Sequence, residues 1–197
     1  TNFILTDGTK DTTVIDGVMN EPLVRGVVGT APASPTGSNF NTFTLAYRGK
    51  WGTDPGVFNA QAYDAMYLLA YAAAGAGAEL SGAALARNLR RLSSGEAINT
   101  GAANWNRAST LISDPEASFD YVGASGELDF DARGEASGDI EAWRFDVDAE
   151  RIRTLGILYT AGGEYRGLPE TPPDAGPDAA PPRDAGTPRD AAASPDD

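Results

Sequence analysis

The residues with chemistry to offer are few, and most are carboxylates. Asp129, Asp131, Gly134 and Glu135, within DFDARGE, have the outline of a calcium-binding loop. The third oxygen ligand would fall on Arg133, a cation where the ion needs an acceptor, and position twelve is Ile140 instead of a bidentate Glu. The segment therefore predicts a turn between strands, and no metal. Gly123-Ala124-Ser125-Gly126 lacks the G-x-S-x-G nucleophile elbow and the lysine of a phosphate loop. Cysteine and histidine are both absent, which removes disulfides, thiolate nucleophiles, Cys/His zinc sites and the usual general base together. An enzyme is not expected, and no catalytic residue or cofactor is assigned. Asp7 remains: Thr6-Asp7-Gly8 is a turn signal following the apolar run Asn2 to Leu5, where a strand hands over to a helix. Its local reading is a carboxylate that bonds backbone N–H groups and holds the turn.

Charge narrows the partners. The formal net charge is -13, and the stretch from Leu168 to Asp197 supplies seven acidic side chains against Arg183 and Arg189. Such a polyanion is repelled by phosphate backbones and anionic headgroups, so nucleic acid and membrane-surface binding are not expected. That stretch also holds 8 of the 13 prolines and, apart from Thr171 and Thr187, no aromatic or β-branched residue. It cannot offset the entropy of ordering itself and reads as a disordered, partly polyproline-like spacer. No run is long and apolar enough to span a bilayer. The first residues already read as a buried strand with no signal peptide, so the chain is expected to be the later part of something longer.

The elements that must position these residues are helices alternating with strands. The longest is Asn59 to Gly75, with Phe58, Ala62, Ala65, Met66, Leu69 and Ala73 on one stripe and Tyr63, Tyr67 and Tyr71 beside it. The pattern predicts a helix packed on two sides and ended by Gly75 and Gly77. Lys10 to Met19 predicts a helix capped by Thr9 or Asp11, with Val14, Ile15 and Val18 inward. Leu23 to Gly29 predicts a central strand. Asn39 is placed as the cap of a helix carrying Phe40, Phe43 and Tyr47, with Gly49 and Trp51-Gly52 breaking it. Ser81 or Gly82 to Leu92 predicts a helix with Leu85, Leu89 and Leu92 inward and Arg87, Arg90 and Arg91 outward. Phe119 to Val122, Ala142 to Val147 (Trp143, Phe145 and Val147 on one face) and Arg153 to Thr160 read as strands. The fold class is α/β with a largely parallel sheet.

Taken in order, TNFILTDG, VRGVVGTAPA, YRGKWGTDPG leading into NAQAYDAMYLLAYAAAGAG, GASGELDFDARGEASG and EAWRFDV resemble the later half of a type I periplasmic binding protein of the branched-chain amino-acid class. The matching positions are Asp7-Gly8, Tyr63-Asp64-Ala65, and Gly123, Gly126, Phe130, Asp131 and Gly134. The resemblance covers about residues 1 to 166 and implies part of a two-lobed fold joined by crossings. Residues 1–25 and 139–166 would belong to the second lobe and 26–138 to the first, with crossings at about 26–33 and 123–138 and the tail from 167 onward. It further implies that Asp7, with Thr6 and Gly8, faces the ligand and accepts hydrogen bonds from the ammonium group of an amino acid. Aspartate stands where glutamate also occurs, which shifts that ammonium or admits a water. Tyr63 and Asp64 could line the hinge, although a tyrosine ridge with satisfied hydroxyls in the core is the favoured reading. The implied function is capture of a small polar solute for the permease of an ABC transporter, in a periplasmic or extracytoplasmic setting, with any lipid anchor upstream. A sensing or structural module of the same fold, or a remnant that binds nothing, stays open as an alternative.

Overall fold

A computed structural model describes residues 3–18 and 24–168 of the chain. In chain order they form β1 (Ile4–Leu5), a 3-10 turn (Asp7–Thr9), α1 (Thr12–Val18), β2 (Val28–Pro32), α2 (Ser38–Trp51), α3 (Asn59–Ala76), α4 (Gly82–Leu89), β3 (Glu96–Asn99), α5 (Trp105–Ile112), β4 (Phe119–Val122), β5 (Ile140–Asp146), β6 (Arg151–Tyr159) and β7 (Tyr165–Arg166). The tail from 169 onward lies outside the described residues, as do Leu23 and Met19.

Two sheets result. The five-stranded one has the order β1-β2-β5-β6-β7, and the other is the pair β3-β4. The class is α/β, as expected. Parallel pairing occurs between β1 and β2 and between β3 and β4, where a helix carries the chain back. The strands after residue 139 pair antiparallel: β5 with β2, and β5 with β6 and β6 with β7 across short reversals at 147–150 and 160–164 that leave no room for a crossover.

The strand expected at Leu23 to Gly29 sits later. Residues 24–26 turn, with Gly26 at φ 80°, and pairing begins at Val28. The segment 26–33, expected as a crossing, is thus largely a strand bonded on both sides. Its placement follows from packing: Gly29 lies opposite Trp143, whose ring fills the space a side chain would take. Ala31, Trp143 and Phe145 form the buried core of this sheet, with Val14, Val147 and Ile152 against them. The inward set Trp143, Phe145 and Val147 is therefore as expected.

The long helix is where expected, but turned. Its buried residues are Ala60, Asp64, Leu68, Tyr71 and Ala72, while Met66 is 67% exposed and Leu69 46%. The stripe from Phe58 to Leu69 lies outward, so the helix expected to be packed on two sides has one apolar side uncovered. Asp64 is inside because it has partners there. Gly75 stays within the helix, against the Asn88 amide, and Gly77 ends it. Likewise α2 runs through Gly49 and ends at the other expected signal, Trp51-Gly52, with Gly52 left-handed. Asn39 is not a cap: its amide donates to Asn99 Oδ1 at 3.0 Å and to the Val122 carbonyl at 2.9 Å.

β3 and α5 were not anticipated. Helix α5 closes a second core, in which Leu68, Tyr71, Ile98, Ile112, Phe119 and Tyr121 meet. Arg91, expected outward, holds it there by donating to the carbonyls of Ile112 at 3.0 Å and Ala117 at 2.6 Å and to that of Asp114. A cation at those last carbonyls also opposes the negative end of the helix dipole.

The close approach at Gly29 makes a prediction. A Cβ there would lie 2.4 Å from the Trp143 ring. Gly29→Ala should lower unfolding stability by roughly 1–3 kcal/mol in urea titrations, with little change in slope. An unchanged midpoint would show that the ring has somewhere else to go.

Candidate functional site

β1 delivers the chain to its carboxyl end at Leu5, and the 3-10 turn that follows presents Thr6, Asp7 and Gly8 beside a groove. The turn is held without the Asp7 side chain. The backbone N–H groups of Thr9 and Lys10 donate to the carbonyls of Thr6 and Asp7, and the Thr9 hydroxyl donates to Thr6 at 2.7 Å. Among the described residues the half-buried Asp7 carboxylate accepts no hydrogen bond. Thr6 and Gly8 are exposed beside it.

The groove has a volume of about 470 Å³ and is walled by Asp7, Lys10, Asp11, Val57, Phe58 and Ile152. A second hollow of about 310 Å³ shares Lys10, Val57, Phe58 and Ile152 with it and continues toward Pro35 and Phe40. The facing wall is the loop before α3. Phe58 there has φ 69°, ψ -5°, left-handed backbone that a bulky side chain adopts only at a cost of about 1–3 kcal/mol. The surrounding structure supplies that cost, and the ring stays 38% exposed at the groove.

The other charges in the groove are committed. Asp11 accepts from the backbone N–H of Thr13 at 2.8 Å, and that bond holds its carboxyl below the usual range while capping α1. Lys10 is buried and ion-paired with buried Glu141 on β5, whose Oε1 also accepts from the Ser34 hydroxyl at 3.0 Å. Asp7 is left as the carboxylate without an internal partner. Lys10 and Glu141 carry no motif that singled them out in the sequence. The available signal was Glu141 on the inward face of an alternating strand, which demands a cation.

Tyr63 and Asp64 do not face this groove. Asp64 is fully buried on α3 and accepts from the Tyr121 hydroxyl at 2.8 Å, the Ala124 N–H at 2.9 Å, and the Ser125 N–H and hydroxyl, both at 2.6 Å. A Cβ on Gly123 would meet it at 2.5 Å, so glycine is required for the segment to come this close. Tyr63 packs between Phe43 and Tyr67 as tilted rings with centroids at 5.0 and 4.9 Å, and burial pushes its phenol up to about 12. The core reading of the ridge fits, except that the buried Tyr71 hydroxyl lacks the expected partner.

Asp129, Asp131 and Glu135 make a tight turn bridged from Phe130 to Ala136. Asp131 Oδ1 accepts the N–H groups of Arg133 and Glu135 at 2.8 and 3.0 Å. Among the described residues no group of three or more acidic side chains is placed to hold a metal ion, and no helix is long and apolar enough to cross a membrane.

Two stability predictions follow from these buried carboxylates. Asp64→Ala removes the acceptor of two buried and two half-buried donors and should cost roughly 3 kcal/mol, whereas Asp64→Asn, which keeps one acceptor oxygen, should cost less. Equal melting temperatures for the two variants would contradict the four-bond account. Lys10→Met strands a buried carboxylate and should lose roughly 3–5 kcal/mol, much of it regained in Lys10→Met/Glu141→Leu. A double variant as unstable as the single would mean that the pair is not what matters there.

Three comparisons bear on kinship. A family described as "Receptor family ligand binding region" matches residues 1–148. A leucine-binding protein LivK from Thermotoga maritima superposes with a TM-score of 0.51 at 21% identity, covering 77% of this chain and 35% of that one. A protein assigned as a branched-chain amino acid ABC transporter from Rhodospirillum rubrum gives a TM-score of 0.44 at 19% identity, covering 78% and 37%. No curated protein matches the sequence. The chain spans about a third of the length of these solved structures, and the likeness to the leucine-binding protein is one of fold. With three quarters of its residues inside the family's span, and with that fold, the chain belongs to the receptor ligand-binding family, whose architecture is that of the type I periplasmic binding proteins.

Proposed function

We propose that the chain is an extracytoplasmic solute-binding protein, or the C-terminal part of one, that captures a small polar solute such as an amino acid for the permease of an ABC transporter. The carrying observation is the Asp7 carboxylate. It has no partner among the described residues, stands at the carboxyl end of a parallel strand, and faces a groove whose opposite wall is apolar. Crevices outside the carboxyl ends of parallel strands are where open α/β sheets take ligands. A charge-assisted bond from an ammonium group to Asp7 is of the strong kind, and Thr6 adds an exposed hydroxyl next to it. Val57 and Phe58 offer the solute an apolar surface.

In this reading residues 3–18, 24–32 and 139–166 form one lobe and residues 38–122 the other. The chain passes between them at about 33–37 and 123–138, an assignment that takes β2 with the sheet it pairs in. The passages lie side by side, with the Ala33 N–H bonded to the Asp139 carbonyl at 2.8 Å. Ligand bridging the lobes stabilises the closed state by its differential affinity for that state. Binding without turnover, hence no enzyme, accords with the chemistry of the side chains. The family and the fold of its leucine-binding neighbour support the amino-acid class.

Calorimetric titration of the full-length protein with a panel of amino acids tests this. At least one should bind at micromolar level or tighter, and Asp7→Asn should weaken it by well over about tenfold with an unchanged melting temperature. A flat panel, or an Asp7→Asn variant that binds as well as the parent, removes the assignment.

A further inference from the structure

A third hollow, of about 380 Å³, shares no residue with the Asp7 groove. It lies between α2 and α3, floored by Thr100 and Gly101 after β3. Helix α2 lines it with one aromatic stripe: Phe43, Tyr47 and Trp51 follow each other at centroid separations of 5.7 and 6.3 Å. Tyr63 of α3 closes the back at 5.0 Å from Phe43. The stripe passes from buried to open, since Phe43 is 8% exposed and Trp51 61%. An indole left that far in water is apolar surface that a bound ring would cover, and the volume is in the range of small-molecule sites.

The polar groups fix the charge of the occupant. The Asn39 amide N–H groups are spent on Asn99 and Val122, the Thr42 hydroxyl donates to Ser38, and Thr100 is bonded to Tyr121. Lys50 remains, its ammonium 5.1 Å above the Trp51 ring and in no ion pair among the described residues. Neighbouring Arg48 is by contrast paired with Asp54. No carboxylate lines the hollow, so an ammonium group would find no counter-charge there. A zwitterionic amino acid is therefore a poor fit, the reverse of the Asp7 groove.

We infer that this hollow is a second ligand site, taking a planar aromatic carboxylate with its ring against Tyr47 and Trp51 and its charge on Lys50. The inference is independent of what the Asp7 groove binds.

The test uses the full-length protein and 2-naphthoate, with 2-naphthamide as the neutral control, read by calorimetry and by quenching of tryptophan fluorescence. Naphthoate should bind saturably and about tenfold tighter than the amide, the value of one charge-assisted bond. Trp51→Ala, at a position 61% exposed, should abolish binding of both with the far-UV circular dichroism unchanged. Lys50→Met should remove the preference for the acid while keeping the amide's affinity. Asp7→Asn should change neither. Absence of saturable binding, equal affinity for acid and amide, or undiminished binding by Trp51→Ala overturns the proposal.

Discussion

The structure depends on one carboxylate placed where water cannot reach it. Asp64 sits in the middle of α3 and receives four hydrogen bonds from Tyr121, Ala124 and Ser125. An ionised group taken out of water is tolerated only when its lone pairs are filled, and here the filling comes from the end of β4 and the segment after it. Helix and exit segment are thereby fixed to each other across 57–61 residues of sequence. Gly123 is what lets the backbone come within reach. The rotation of α3 follows from the same bond set: with Asp64 inward, Leu68, Tyr71 and Ala72 must be inward too, and Met66 and Leu69 outward.

Lys10 and Glu141 do for the other sheet what Asp64 does for α3. The pair joins the turn after β1 to β5, and Ser34 brings in the passage from β2 to α2. Because this ion pair and the capping role of Asp11 absorb the other charges, the groove keeps a single carboxylate without a protein partner. Its negative character is thus a consequence of how the neighbours are satisfied. The hollow along α2 shows the opposite outcome, with a lysine left over among aromatic rings.

The sequence motifs were legible as an ordered set, but the reason for their company was not. Tyr63-Asp64-Ala65 and Gly123 to Gly126 are 57 or more residues apart, and only the fold shows one hydrogen-bonding the other. Arg91 illustrates the same gap. Periodicity placed it outward with Arg87 and Arg90, yet its guanidinium collects carbonyls at the end of a helix that no strong signal announced.

What the sequence determined by itself were features written in local chemistry: the turn at Thr6-Asp7-Gly8, the extents of α3 and β4, the inward face of β5, and the lack of thiol, imidazole or metal-ligand sets. Each follows from neighbours within a few residues, where periodicity and turn chemistry act. Tertiary structure decided which face of α3 is inside, where β2 begins, and which acid is left unpaired. Those outcomes turn on partners far along the chain: a ring that needs a glycine opposite it, and buried charges that need their donors.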